Sequence, residues 1–122
     1  MKENIIRNKS YQFSLEIIKV CELLENHKAY VLSNQLLKSG TSIGANVRES
    51  QSAESKKDFI HKLSIALKES RETDYWLNLL KDSYKLPLNE VAPLIESNNE
   101  LQKILAKILL SSKKSNLKHS EF

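Results

Sequence analysis

Apolar residues return along this chain at helical intervals in four blocks. In the first, Phe13, Ile17, Val20 and Leu24 keep a 4-3-4 spacing, which places them on one face and predicts a helix over about residues 11–26. Leu15 and Ile18 are read as widening that face. Residues 2–10, which carry Ile5 and Ile6, either extend the helix or form an ordered arm, and "ENHK" interrupts the pattern as a first turn. The second block, Leu32, Leu36, Gly40, Ile43 and Val47, runs 4-4-3-4 straight through both glycines of "SGTSIGANVRES". The apolar face continues across them, so both glycines belong inside a helix. Each costs about 1 kcal/mol relative to Ala there, and close approach of a neighbouring backbone is the compensation that Gly40-x-x-x-Gly44 suggests. A phosphate-binding loop would need Lys and Ser/Thr after the second glycine, whereas Ala45 and Asn46 follow Gly44.

The third block predicts a long helix from about Lys56 to Lys85, with Phe59, Leu63, Leu67, Ser70, Leu77 and Leu80 inward. Ser55 is its expected N-cap and Asp58 its N3 residue, a capping box with Asp in place of Glu. Thirty residues span roughly 45 Å, a length suited to a bundle. "LPLNEVAP" closes the helix, and a fourth begins either capped by Asn89 or with Pro93 at its first position. Leu94, Asn98, Leu101, Leu105 and Ile108 follow at 4-3-4-3, a heptad seam. Four amphipathic helices joined by short turns predict an all-α, up-down-up-down antiparallel four-helix bundle over residues 1–112. Residues 113–122 read as a polar, basic, frayed tail.

Composition narrows the reading. A chain of 122 residues fits one domain, and two Gly and two Pro are too few for the turns of an all-β fold. No run approaches the ~20 apolar residues of a membrane span, and "MKENIIRNKS" lacks the apolar core of a signal peptide; a cytoplasmic protein is expected. The single cysteine, Cys21, lies among Val20, Leu23 and Leu24 and reads as a small buried residue. The net charge of +4 and pI of 9.1 allow an anionic partner.

Residues 39–80, "SGTSIGANVRESQSAESKKDFIHKLSIALKESRETDYWLNLL", resemble the four-helix-bundle proteins encoded in intervening sequences of bacterial 23S rRNA genes. These S23-type proteins include the accessory variability determinants of diversity-generating retroelements. "SGTSIGAN" with Glu49 after it, "KKDFIHKLSIALKES" and "RETDYWL" carry the likeness, and "IIRNKSYQFSLEII" extends it over nearly the whole chain. The resemblance implies a homopentameric barrel without enzymatic activity. Its retroelement relatives bind a reverse transcriptase and nucleic acid through basic surface. Five copies of +4 would carry a formal +20.

Chemistry-bearing residues add little to this. Asp58-x-x-His61 is half of a di-metal motif with no second half, so no metal site, cofactor or catalytic residue is expected. Glu49, Glu69, Glu72 and Asp74 read as surface salt-bridge partners of Arg48, Lys68 and Arg71. Ser39, Ser42, Asn46 and Ser70 border the apolar stripes and are candidates for hydrogen bonds between helices. Gly40, Ile43, Gly44, Asn46, Tyr75 and Trp76 are the expected helix-packing or subunit-interface positions; adjacent Tyr75 and Trp76 cannot share one core, so one of them is assigned to another subunit. Lys28, Lys38, Arg48, Lys56 and Lys57 form the expected anion-binding surface. Two functions fit: an RNA- or DNA-binding accessory module, or a protein-interaction scaffold that never meets nucleic acid.

Overall fold

The computed structural model describes residues 2–120, with side chains for residues 5–115. The helices are α1 (Lys2–Asn26), α2 (Tyr30–Ser50), α3 (Lys56–Asp82) and α4 (Leu88–Ser120), and the described residues contain no strand. Each helix packs on its neighbours in cyclic order, α1 on α2, α2 on α3, α3 on α4 and α4 on α1, and the diagonal pairs stay apart. This is the square of an up-down-up-down bundle. Residues 2–10 extend α1. The side chains of the expected tail beyond Ser115 lie outside the described residues, and the backbone of α4 runs on to Ser120.

Local chemistry explains the ends. The α1–α2 turn is a Schellman closure: Ala29 N–H donates to Leu24 C=O (2.8 Å) and Lys28 N–H to Glu25 C=O (2.9 Å), with Lys28 at φ 60°. Tyr84 at φ 56° closes α3 in the same way, through Lys85 N–H to Leu80 C=O (3.3 Å) and Tyr84 N–H to Lys81 C=O (3.2 Å). At the start of α3, Asp58 N–H donates to Ser55 Oγ (3.0 Å), while the Asp58 carboxylate accepts from Glu54 N–H (3.3 Å). The capping box therefore reaches back one residue further than the spacing implied. Neither expected start of α4 is right. The helix opens at Leu88 with a tight turn, Glu90 N–H to Pro87 C=O (3.0 Å), and Pro93 falls in its second turn. One missing backbone bond is tolerated there because Val91 and Leu94 on either side are buried.

The core holds the expected stripes, including Phe13, Ile17, Leu24, Leu36, Ile43, Val47, Leu63, Leu77, Leu80, Leu101 and Leu105. Leu15 and Ile18 do not widen it. Leu15 is two residues from both Phe13 and Ile17, hence some 200° around the helix from each, and it is 40% exposed, with Ile18 beside it at 41%. Gly40 and Gly44 face α1. A Cβ on Gly40 would stand 2.8 and 2.9 Å from Ile17 Cγ1 and Cγ2, and one on Gly44 3.1 Å from the Ser10 carbonyl oxygen. Such a crossing is closer than a side-chained α2 would allow.

Polar groups inside the bundle are paired. Cys21 Sγ donates to Ser33 C=O (3.4 Å) and Ser33 Oγ donates back to Cys21 C=O (3.2 Å), tying α1 to α2. Thr73 Oγ1 donates to Ser39 Oγ (3.0 Å) between α3 and α2. Ser70 Oγ donates to Asn98 Oδ1 (2.6 Å) and Asn98 Nδ2 to Ser70 C=O (2.8 Å), joining α3 and α4. Among the described residues, no buried side-chain polar atom lacks a partner. Ser42 and Asn46 do not bridge helices: Asn46 Nδ2 donates to Ser42 C=O on its own helix (2.9 Å).

Candidate functional site

The topology decides which charges meet. Lys28 precedes α2 and Lys56 follows it, and 21 residues at ~1.5 Å each put about 30 Å between those ends. Lys28 thus sits at one end of the bundle, and Lys56 and Lys57 at the other. Lys38 is exposed on the middle of α2, roughly 15 Å along the axis from Arg48. The five expected positions do not form one patch, though Arg48, Lys56 and Lys57 share an end.

Three segments far apart in sequence converge there. The start of α1 brings Arg7, the α2–α3 corner brings Arg48, Lys56, Lys57 and Lys62, and α4 brings Lys103, Lys107, Lys113 and Lys114. Against these nine stand Glu49, Glu54 and Asp58 among the described side chains, a net of +6 where the whole chain carries +4. The rest of the molecule is consequently acidic on balance. Arg7, Lys62, Lys103, Lys107, Lys113 and Lys114 were not among the expected positions. Their signal is visible afterwards: residues 101–118 contain five lysines and no acidic residue.

Few of these cations are neutralised locally. Among the described residues the ion pairs are Lys9–Glu100 and Lys81–Asp82. The expected pairs of Arg48, Lys68 and Arg71 with Glu49, Glu69, Glu72 and Asp74 do not form. Neighbours in sequence point about 100° apart on a helix, and Lys68 precedes Glu72 in the less favourable order. Glu72 instead accepts from Trp76 Nε1 (3.2 Å), and the Arg48 guanidinium lies over the Tyr11 ring, 5.9 Å from its centroid. Lys56 and Lys57 occupy the first turn of α3, where the helix dipole already presents positive potential.

The aromatic pair divides as two residues 100° apart must. Trp76 is half-buried against the core, while Tyr75 is 60% exposed and meets it edge-on at 5.0 Å between centroids. Gly40 and Ile43 are buried within the protomer, Gly44 faces α1, and Asn46 is half-buried. Tyr11, Leu15 and Ile18 form an outward apolar stripe on α1.

Other chemistries find little footing. His61 is exposed beside a half-buried Asp58, and no cluster of three or more His, Cys, Asp or Glu side chains able to hold a metal exists among the described residues. Burial pushes the Cys21 thiol up to about 11, against a smaller opposing effect of the Ser33 hydrogen bond. Such a thiol is protonated at neutral pH and unsuited to nucleophilic work. No described helix is long and apolar enough to cross a membrane.

A family model described as 23S rRNA-intervening sequence protein matches residues 2–107. A crystal structure of a protein of unknown function from the S23 ribosomal protein family of Bacteroides thetaiotaomicron VPI-5482 superposes with a TM-score of 0.85 at 42% sequence identity, covering 89% of this chain and 98% of that one. No curated protein matches.

Proposed function

The chain belongs to the 23S rRNA-intervening sequence protein family, and from that premise we propose that it is a non-enzymatic cytoplasmic accessory module that binds RNA through the basic end of the bundle. What supports this reading is that the start of α1, the α2–α3 corner and α4 bring a net charge of +6 to one end of the bundle. Lysine and arginine on helix surfaces engage phosphates without reading bases, so the mode is backbone contact and not sequence recognition. Arg48, Lys56 and Lys57 remain in the site, Lys103 and Lys107 join it, and Lys28 leaves it. Self-association, as a pentamer, belongs to the same proposal. The exposed Tyr11, Leu15 and Ile18 on α1 and the exposed Tyr75 on α3 supply apolar surface for it, and a ring would repeat the basic end. A reverse transcriptase is the kind of protein partner the retroelement resemblance suggests.

Fluorescence anisotropy of a structured RNA at about 50 and 200 mM salt tests the reading, since phosphate contacts lose affinity steeply over that range. Binding should weaken by more than tenfold with salt, and again with Lys56→Glu and Lys107→Glu, while Lys28→Glu should matter far less. Absence of binding at the lower salt would defeat the proposal in favour of a protein-interaction scaffold.

A further inference from the structure

α1 and α4 make the sparsest contact of the neighbouring pairs. At the basic end a cleft of about 640 Å³ opens between α1, α3, α4 and the end of α2, within the size range of small-molecule sites. Ile6, Phe59, Leu63, Ile104 and Ile108 make its wall apolar, and Lys56 and Lys107 stand at it with their ammonium groups exposed. Neither lysine has an ion-pair partner among the described residues. The Ser50 hydroxyl, buried at the cleft, is spent on Val47 C=O at 2.6 Å, so it has no proton to offer a ligand. The first turn of α3 adds its positive potential at the same mouth.

Gln51, Ser111 and Ser112 also line the cleft, but the apolar wall and the two lysines without an ion-pair partner decide what would fill it. They suit a long apolar body with one anionic end. We infer that the cleft binds a single-chain anionic amphiphile, its carboxylate or phosphate between Lys56 and Lys107 and its alkyl chain against Ile6, Phe59, Leu63 and Ile108. Lys56 and Lys107 also belong to the proposed RNA surface, but the amphiphile is measured without nucleic acid, so either reading can fail while the other stands.

Isothermal titration of the full chain with decanoate, below its micellar concentration, gives the test. Saturable binding of one decanoate per chain is expected, and octanoate, two methylenes shorter, should bind about fifteenfold more weakly. Neutral 1-decanol and the Lys56→Gln/Lys107→Gln double variant should each lose about tenfold. Ile108→Trp, which fills the cleft, should abolish binding while helical circular dichroism persists; the double lysine variant, at exposed positions, keeps the test decisive if that protein does not fold. No saturable heat, indifference to chain length, or unchanged affinity in either variant would overturn the assignment. So would sedimentation with anionic phospholipid vesicles in the absence of decanoate binding, which would mean surface adsorption.

Discussion

Replacing Gly40 by Ala sets two known effects against each other at one position. Helix propensity alone favours Ala by about 1 kcal/mol. The new methyl, however, would stand 2.8 Å from Ile17 Cγ1, 2.9 Å from Cγ2 and 3.1 Å from Cδ1. The first two are the branch atoms of a β-branched residue on a helix, which has one strongly preferred rotamer, and Ile17 is fully buried, so it has nowhere to swing. Overpacking of this kind costs about 1–3 kcal/mol, and the stiffness of Ile17 puts the case in the upper half of that range. The net expectation is a loss of about 1–2 kcal/mol after the propensity gain is subtracted. Urea unfolding followed by circular dichroism, at one fixed protein concentration because association would shift the midpoint, measures it. Ala45→Gly, exposed on the same helix, calibrates the propensity effect at about 1 kcal/mol. Ile17→Ala should cost about 2–5 kcal/mol alone, yet in the double variant the clash is gone and a cavity is partly filled. The two changes should therefore couple favourably by at least about 1 kcal/mol. If Gly40→Ala equalled or exceeded the wild type in stability, or the two changes simply added, the α1–α2 contact would not be what requires glycine.

Other sites give independent checks. Asn98→Ala strands the Ser70 hydroxyl and should cost about 1–3 kcal/mol, whereas Asn98→Leu with Ser70→Ala should recover most of it in the same unfolding assay; equal losses in both would dismiss the pairing as the cause. Cys21 holds its proton more tightly when folded, so its contribution is complete below the unfolded thiol's range and declines as pH rises through about 11. Reaction with a disulfide reagent at pH 8 should accordingly be about a hundredfold slower in the native protein than in urea, and equal rates would contradict its burial. Lys28→Gly relieves a left-handed residue at the end of α1 and should stabilise by about 1 kcal/mol without altering RNA affinity appreciably. Ser55→Ala should cost about 1 kcal/mol through its lost cap, and no change in the urea midpoint would place the start of α3 under other control.

Much of the fold was legible because its information is local. The 4-3-4 recurrence of Phe13, Ile17, Val20 and Leu24 needs only the helical period to be read, and Ser55 with Asp58 marks the start of α3 by short-range hydrogen bonding. Pro93 misled because a proline is compatible with several helical positions, and what places it in the second turn of α4 is the burial of Val91 and Leu94 against other helices. Leu15 and Ile18 misled because hydrophobicity was read as burial, although the helical angle already set them apart from Ile17. The candidate site was far less legible. Lys107 and Lys56 lie fifty-one positions apart in sequence, and no local pattern shows that they line one cleft.

What the sequence determined by itself was therefore the helices, their apolar faces, the glycines' place inside α2 and the family likeness, since each is written in intervals of a few residues. The tertiary structure alone decided that Lys28 and Lys56 point to opposite ends, that α4 lays its lysines beside the α2–α3 corner, and that a cleft opens at the basic end. Charge acts through space, and distance between charges on a bundle depends on the direction and crossing of whole helices. Those are set by how the faces pack, at Gly40 against Ile17 and at Ser70 against Asn98, and not by any one segment.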